Sequence, residues 1–282
     1  MLKWFDRYNQ SENIEQSWHT QPAGDLLSGG NVHIWRAFLD LPGKSVEEFK
    51  RNLSEDEIMR ADRYRYEHDR NRFISARGIL RLILAGYLNV KPDAIGFDYE
   101  KDGKPGLQKT SDGVDIRFNL SHSEGLALYV FTRGKEAGID LERMRDFPEM
   151  EQIVEQFFSA REQALFRALP SGEKKETFFN CWTRKEALMK ANGKGLSYFP
   201  RRIDLLPTDG KSTGSLKLSR DDGGQARWSI WDVRPAEEFA GAVVVEEGNW
   251  NVQYWQWSDD GREYQVKMQS NVQSLVTNIR PS

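Results

Sequence analysis

The sequence predicts an α+β chain made of two similar α+β subdomains, a pseudo-dimer in one polypeptide with its active site at the interface of the copies. Three observations carry this. Leu53-Ser54-Glu55-Asp56-Glu57 and Phe158-Ser159-Ala160-Arg161-Glu162 are capping boxes, each behind an apolar residue and 105 residues apart. Leu88, Pro92 and Ile95 match Leu196, Pro200 and Ile203 at an offset of 108, which also sets Arg77 against Lys185. In each half, apolar strand patterns follow the helical ones. Three extra residues in the loop between would reconcile the two offsets. The expected division is an N-terminal extension 1–30, a first subdomain 31–134, a second 135–257, and a C-terminal extension 258–282 with no assigned role.

Taken in order, Val32–Leu39 is dense in apolar residues and closed by Leu41-Pro42-Gly43, so it reads as a strand. A helix starts at the Ser54 box. A long helix runs from Asp69 to about Leu88, with Phe73, Ile74, Ile79, Leu80, Ile83 and Leu84 as its apolar face and several arginines around it. Asp102–Gly106 is a turn between short strands, Asp115–Phe118 alternates as a strand, and Ser121-His122-Ser123 begins a turn. Leu126–Thr132 and Ala137–Glu142 read as a hairpin joined at Arg133-Gly134-Lys135. Phe178–Ser197 is the second long helix, stopped near Asn192-Gly193. Trp228–Val233 and Gly241–Val245 are strands.

Composition narrows the function. The 282 residues suit two small domains, and 38% of them are apolar, with nine Trp and fifteen Phe. The formal net charge of −3 points to neither bulk nucleic-acid binding nor a polybasic membrane tether. Cys181 is the one cysteine and sits in an apolar context, so it reads as a packed thiol; with four scattered histidines it offers no zinc set. No apolar run has membrane-spanning length and no signal pattern opens the chain, so a cytoplasmic protein is expected.

Chemistry concentrates at two places. Trp182, Glu186 and Lys190 recur every four residues and share one helix face. A solvated Glu–Lys pair beside a core Trp is the plain alternative. Asp140 and Glu142, two apart on a strand, point to one side. Such carboxylates repel, and a cation between them relieves the repulsion; an edge strand with solvated acids is the competing explanation. Oxygen ligands on a strand suit Mg²⁺, Glu186 is a third oxygen donor, and Lys190 one turn on meets phosphate charge. Arg72 and Arg77 form a candidate phosphate cradle, and Ser121, His122 and Lys104 are candidate phosphate contacts. A serine nucleophile at Ser121 or Ser123 lacks the Gly-x-Ser-x-Gly elbow, and a nucleotide hydrolase lacks a Walker-type loop. Glu162 reads by itself as a helix-closing residue.

Gly103-Lys104-Pro105, Phe118-Asn-Leu-Ser121-His122-Ser123, Gly138-Ile-Asp140-Leu-Glu142, Phe157-Phe158-Ser159 with Glu162, and Trp182-Thr-Arg-Lys185-Glu186-Ala187 with Lys190 and Gly193-Lys-Gly-Leu196 resemble, in order and spacing, the motif series of the 4′-phosphopantetheinyl transferases. The resemblance runs from about Val32 to Trp257 and is to the two-copy, surfactin-synthetase-activating type. It implies transfer of the phosphopantetheine arm of coenzyme A to a serine of an apo acyl or peptidyl carrier protein by a Mg²⁺-dependent monomer. Adenosine 3′,5′-bisphosphate is released. Asp140, Glu142 and Glu186 match the metal ligands. Arg72, Arg77, Lys104, Ser121, His122, Lys185 and Lys190 are the coenzyme-binding set, with Arg60 and Arg63 in place of the family's lysines before the first long helix. Glu186 and Glu162 are the two candidate bases. Phe147, Met150, Ile153 and Val154 lie where family members meet the carrier. A paralogue that binds carrier or coenzyme without transfer is the alternative.

Overall fold

A computed structural model describes residues 16–19, 27–99, 103–108, 113–193, 203–205, 213–219 and 225–258. Most of the N-terminal lead-in, the extension beyond Ser258, and Lys194, Gly195, Leu196 and Pro200 lie outside these. Strand β1 (Asn31–Phe38) leads into α1 (Gly43–Lys50), α2 (Glu55–Ala61) and α3 (Glu67–Leu88). A 3-10 turn at Pro92–Ala94, the ribbon β2 (Phe97–Tyr99)–β3 (Pro105–Leu107), β4 (Ile116–Ser123) and β5 (Leu126–Arg133) follow. The series then restarts: β6 (Ala137–Arg143), α4 (Met150–Phe157), α5 (Ala160–Arg167), α6 (Ser171–Asn192), β7 (Thr213–Ser219), β8 (Gln225–Val233), β9 (Phe239–Glu246) and β10 (Asn251–Gln256).

Two four-stranded sheets form, in the orders β10-β1-β5-β4 and β6-β9-β8-β7. Within them β1-β5-β4 and β6-β9-β8 trace one path: a strand, three helices, then two antiparallel strands of which the later pairs with the first. The duplication read from the capping boxes is therefore present in the topology, and the chain is α+β. By internal contacts the chain divides into a unit built on Leu27–Arg36 and Phe97–Tyr254 and another built on Ala37–Gly96. This division cuts across the order of the repeats.

Local sequence explains the elements. Both boxes close as expected: Glu57 Oε2 accepts from Ser54 N–H at 3.0 Å, and Glu162 Oε2 from Ser159 N–H at 2.8 Å. Helices α3 and α6 are each 22 residues long and end on left-handed residues, Asn89 (φ 52°) and Gly193 (φ 64°), which release the chain after the last turn. The inner strands β5 and β9 are buried almost throughout, as central strands covered on both faces must be. Helix α6 lies on β6, β9 and β8, where Ala187, Leu188 and Ala191 pack with Trp228, Ile230, Ala242 and Val244. No helix among the described residues is long and apolar enough to cross a membrane.

The structure corrects three expectations. Strands β5 and β6 are not a hairpin: β5 has both edges filled by β1 and β4, so β6 joins the other sheet at its edge. Ser121-His122-Ser123 is strand, the last three residues of β4, and the turn falls at Glu124 (φ 54°). The long helices begin and end 104 residues apart (171 − 67 and 192 − 88), so Lys185 corresponds to Arg81, one helical turn past Arg77.

Candidate active site

Strands β4 and β6 are edge strands of different sheets, and they meet through side chains. Odd-numbered residues of β4 face β6, as the period of two requires. Asn119 Oδ1 accepts from Ile139 N–H at 3.0 Å and Ser123 Oγ from Arg143 N–H at 3.1 Å, so β6 backbone donors are satisfied without a ladder. Ser121 Oγ donates to Asp140 Oδ1 at 3.0 Å, and Ser123 Oγ to Glu142 Oε2 at 3.3 Å. The two acids thus point the same way, as their spacing predicts. His122 is exposed and, being even-numbered, lies on the other side of β4 from Ser121.

Helix α6 supplies the remaining groups. Gly138 lets it come close: a Cβ there would lie 2.1 Å from Ala187 O and 2.4 Å from Ala191 N. Ala187 and Ala191 each follow a functional residue, so this contact sets Glu186 and Lys190 beside Asp140 and Glu142. Lys190 Nζ donates to Asp140 Oδ1 at 2.7 Å and to Ser121 Oγ at 3.0 Å. Lys104 Nζ donates to the Lys190 carbonyl at 2.8 Å and stands 3.6 Å from Glu136, which brings the Gly-Lys-Pro turn to the end of α6. Trp182 stacks on Phe178 and meets Phe157 edge-on, joining the aromatic core one turn before Glu186.

Lys190 then faces all three carboxylates, and Arg145 adds a favourable charge to Glu142. Burial raises the Glu186 pKa to about 7, with Asp140 and Glu142 pushing the same way and Lys190 opposing. Glu142 is raised too, first by burial and then by Asp140. A carboxyl raised from 4.5 to about 7 binds its proton more tightly folded than unfolded. Its contribution is therefore present at low pH and is lost as pH rises through that window. Relative to Glu186→Gln, the metal-free wild type is expected to lose melting temperature between about pH 5 and about pH 8. Thermal denaturation across that range checks it, and parallel curves for the two proteins would refute the raised pKa.

Asp140 Oδ2 is buried and has no hydrogen-bond partner. An orphaned carboxylate oxygen among mutually repelling acids fits an oxygen-seeking divalent cation, so the donor set of Asp140, Glu142 and Glu186 suits Mg²⁺. As the side chains stand, no three acidic, histidine or cysteine side chains among the described residues are in a metal-holding arrangement.

Other expected site residues are committed elsewhere. Arg77, 5% exposed, donates to Glu57 at 2.6 Å. Arg72 grips Asp40 through Nε (2.6 Å) and Nη2 (2.9 Å) and holds that carboxyl below its usual range. Glu162 and Lys185 are fully buried and paired with each other at 2.8 Å. The Cys181 thiol donates to Glu162 and is raised far above the usual thiol range, first by burial and then by that carboxylate. Val154 is buried, whereas Phe147, Met150 and Ile153 are partly buried against the same core. Sequence reading gave Asn119 no role and weighed Ser123 as a phosphate contact or nucleophile, not as a clasp on β6; their alternation with Ser121 on β4 was the available signal.

A family model described as the 4′-phosphopantetheinyl transferase superfamily matches residues 136–244, and one for the N-terminal region of 4′-phosphopantetheinyl transferase matches residues 44–132. The chain is 37% identical over 245 residues to the 4′-phosphopantetheinyl transferase HetI of Nostoc sp., covering 86% of this chain and 100% of that one. It is 27% identical over 168 residues to the 4′-phosphopantetheinyl transferase Sfp of Bacillus subtilis, covering 59% of this chain and 72% of that one. Among solved structures, the ACPS–CoA complex of Chronobacterium ammoniagenes matches at 18% identity and a TM-score of 0.25, over 40% of this chain and 97% of that one.

Proposed function

The chain belongs to the 4′-phosphopantetheinyl transferase superfamily, and from that premise we propose that it moves the phosphopantetheine arm of coenzyme A to a serine hydroxyl of an apo carrier protein. The serine oxygen forms a bond to the β-phosphorus, the bridging P–O bond breaks, and adenosine 3′,5′-bisphosphate leaves with the electron pair. The single observation that supports this reading is the cluster at the β4–β6–α6 junction: three carboxylates, one of them near neutral pKa, around the Lys190 ammonium.

Asp140, Glu142 and Glu186 would hold Mg²⁺, which, when bound, neutralises charge on the pyrophosphate oxygens. Lys190 is placed to meet phosphate charge that builds during transfer, and Ser121 hydrogen-bonds both Lys190 and Asp140 and so orients them. Lys104 braces the end of α6 through the Lys190 carbonyl. We assign the serine proton to Glu186, the carboxylate that α6 presents beside Asp140 and Lys190. Arg72, which the structure holds on Asp40, is the arginine we assign to a coenzyme phosphate. His122, on the outer side of β4, is assigned to a coenzyme phosphate by its place in the motif alone. Both repeats lie in one chain, so we read the working form as a cytoplasmic monomer.

Incubation of an apo carrier protein with the enzyme, coenzyme A and Mg²⁺ is expected to add the mass of one phosphopantetheine, and a chelator is expected to remove the gain. Intact-mass spectrometry checks both. Coenzyme A binding with no mass gain on several fatty-acid and peptide-synthetase carriers would replace transfer with binding alone.

A further inference from the structure

The chain carries one buried device twice. In the first copy Glu57, the third residue of α2 and 0% exposed, accepts from Arg77 Nε at 2.6 Å and Arg81 Nε at 2.7 Å, both on α3. Arg81 Nη1 donates onward to the Ile95 carbonyl at 2.9 Å, beyond the end of that helix. In the second copy Glu162, the third residue of α5 and 0% exposed, meets Lys185 Nζ on α6 at 2.8 Å. Lys185 donates onward to the Ile203 carbonyl at 3.2 Å. Arg81 and Lys185 are 104 residues apart, the same offset as the helices that carry them.

At that offset Glu186 and Lys190 correspond to Leu82 and Gly86, which bear no charge. The first copy therefore keeps the buried carboxylate and its cation where the acid and base of the site are gone. A pair retained without the chemistry answers to the fold. Saturation points the same way. Glu162 Oε2 takes the Ser159 N–H at 2.8 Å as well as Lys185, and Oε1 takes the Leu205 N–H at 2.7 Å and the Cys181 thiol at 3.4 Å. A base needs an open lone pair within reach of the proton it takes.

We propose that Glu162 and Lys185 are positioning residues: the pair ties α6 to the start of α5 and to the Ile203–Leu205 segment, and so presents Glu186 and Lys190 to Asp140. Neither takes the serine proton and neither contacts coenzyme A. Arg184 adds a second tie one residue earlier on α6, donating to the Leu205 carbonyl at 2.7 Å and to both oxygens of Asp232 at 2.6 Å. Successive residues on a helix are turned by about 100°, so Lys185 locks the inner side while Glu186 emerges on the site.

The inference rests on the transferase reading, so wild type is assayed alongside: no transfer by wild type defeats that reading and not the pairing argument. Two variants decide between positioning and catalysis. Lys185→Arg rebuilds the first copy's pair. It is expected to fold, and to keep kcat and the KM for coenzyme A within about threefold of wild type. The double variant Glu162→Gln/Lys185→Met removes both charges together. It is expected to melt higher and turn over faster than Glu162→Gln alone, which strands an ammonium in the interior. In that single variant the loss falls on kcat and leaves the KM for coenzyme A in place. The proposal is overturned if the double variant folds but stays as slow as the single one, the mark of a lost base. It is equally overturned if Lys185→Arg fails to fold or raises the KM for coenzyme A by tenfold or more.

Discussion

Asp140→Ala is expected to abolish transfer, with kcat down by about 10³-fold or more, while the protein stays folded. Asp140 is the hub of the cluster: it takes Lys190 and Ser121 on one oxygen and leaves the other buried without a donor. Removing it takes away the buried carboxylate proposed to hold Mg²⁺ and releases Lys190 from its ion pair. The fold survives for two reasons. The Lys190 side chain is 29% exposed, so its ammonium can turn to water and is not stranded. The alanine also ends the charge repulsion that Asp140 exerts on Glu142 and Glu186. Activity by intact mass and stability by thermal melting are read on the same sample. A wild-type rate would remove Asp140 from the site, and an unfolded variant would make it a structural residue.

Gly138→Ala is expected to cost about 3 kcal/mol of stability or more, because backbone must move to admit one methyl group. The new Cβ would fall 2.1 Å from Ala187 O and 2.4 Å from Ala191 N. Both neighbours belong to the hydrogen-bonded frame of α6, so no side chain can swing aside. Strand and helix have to separate, and that parts Asp140 and Glu142 from Glu186 and Lys190. Activity is expected to fall further than the folded fraction does. Urea denaturation with parallel transfer assays tests this; an unchanged midpoint would mean that β6 and α6 are not in that contact.

Much of this was legible in the sequence because it is written in local periods. The period of two placed Asp140 and Glu142 on one side, and the four-residue recurrence placed Glu186 and Lys190 on one face. The two capping boxes exposed the duplication. Contacts between distant segments were not legible in that way. Strand period does not name a partner, so β5 and β6 read as a hairpin although β5 had both edges filled already. Two hydroxyls in three residues read as turn chemistry, yet Ser121 and Ser123 are extended and clasp the strand that carries the acids. Charge alone hides burial: Arg77 looked available to a phosphate, and the resemblance lent Glu162 and Lys185 site roles, yet all three are paired in the interior. The helices α1 and α4 are eight residues each and amphipathic, yet sequence reading assigned neither as a helix, because so short an apolar rhythm completes only about two turns; the strand β10 was passed over as well.

The seam of β4 and β6 has one more consequence. A sheet edge offers a row of unpaired N–H and C=O groups, a template on which a foreign strand can grow. Here two edges, one from each sheet, are turned toward each other, and Asn119, Ser121 and Ser123 fasten them. The residues that aim the acids are thus also the guard against self-association. A substitution at one of them has to satisfy colloidal behaviour as well as chemistry.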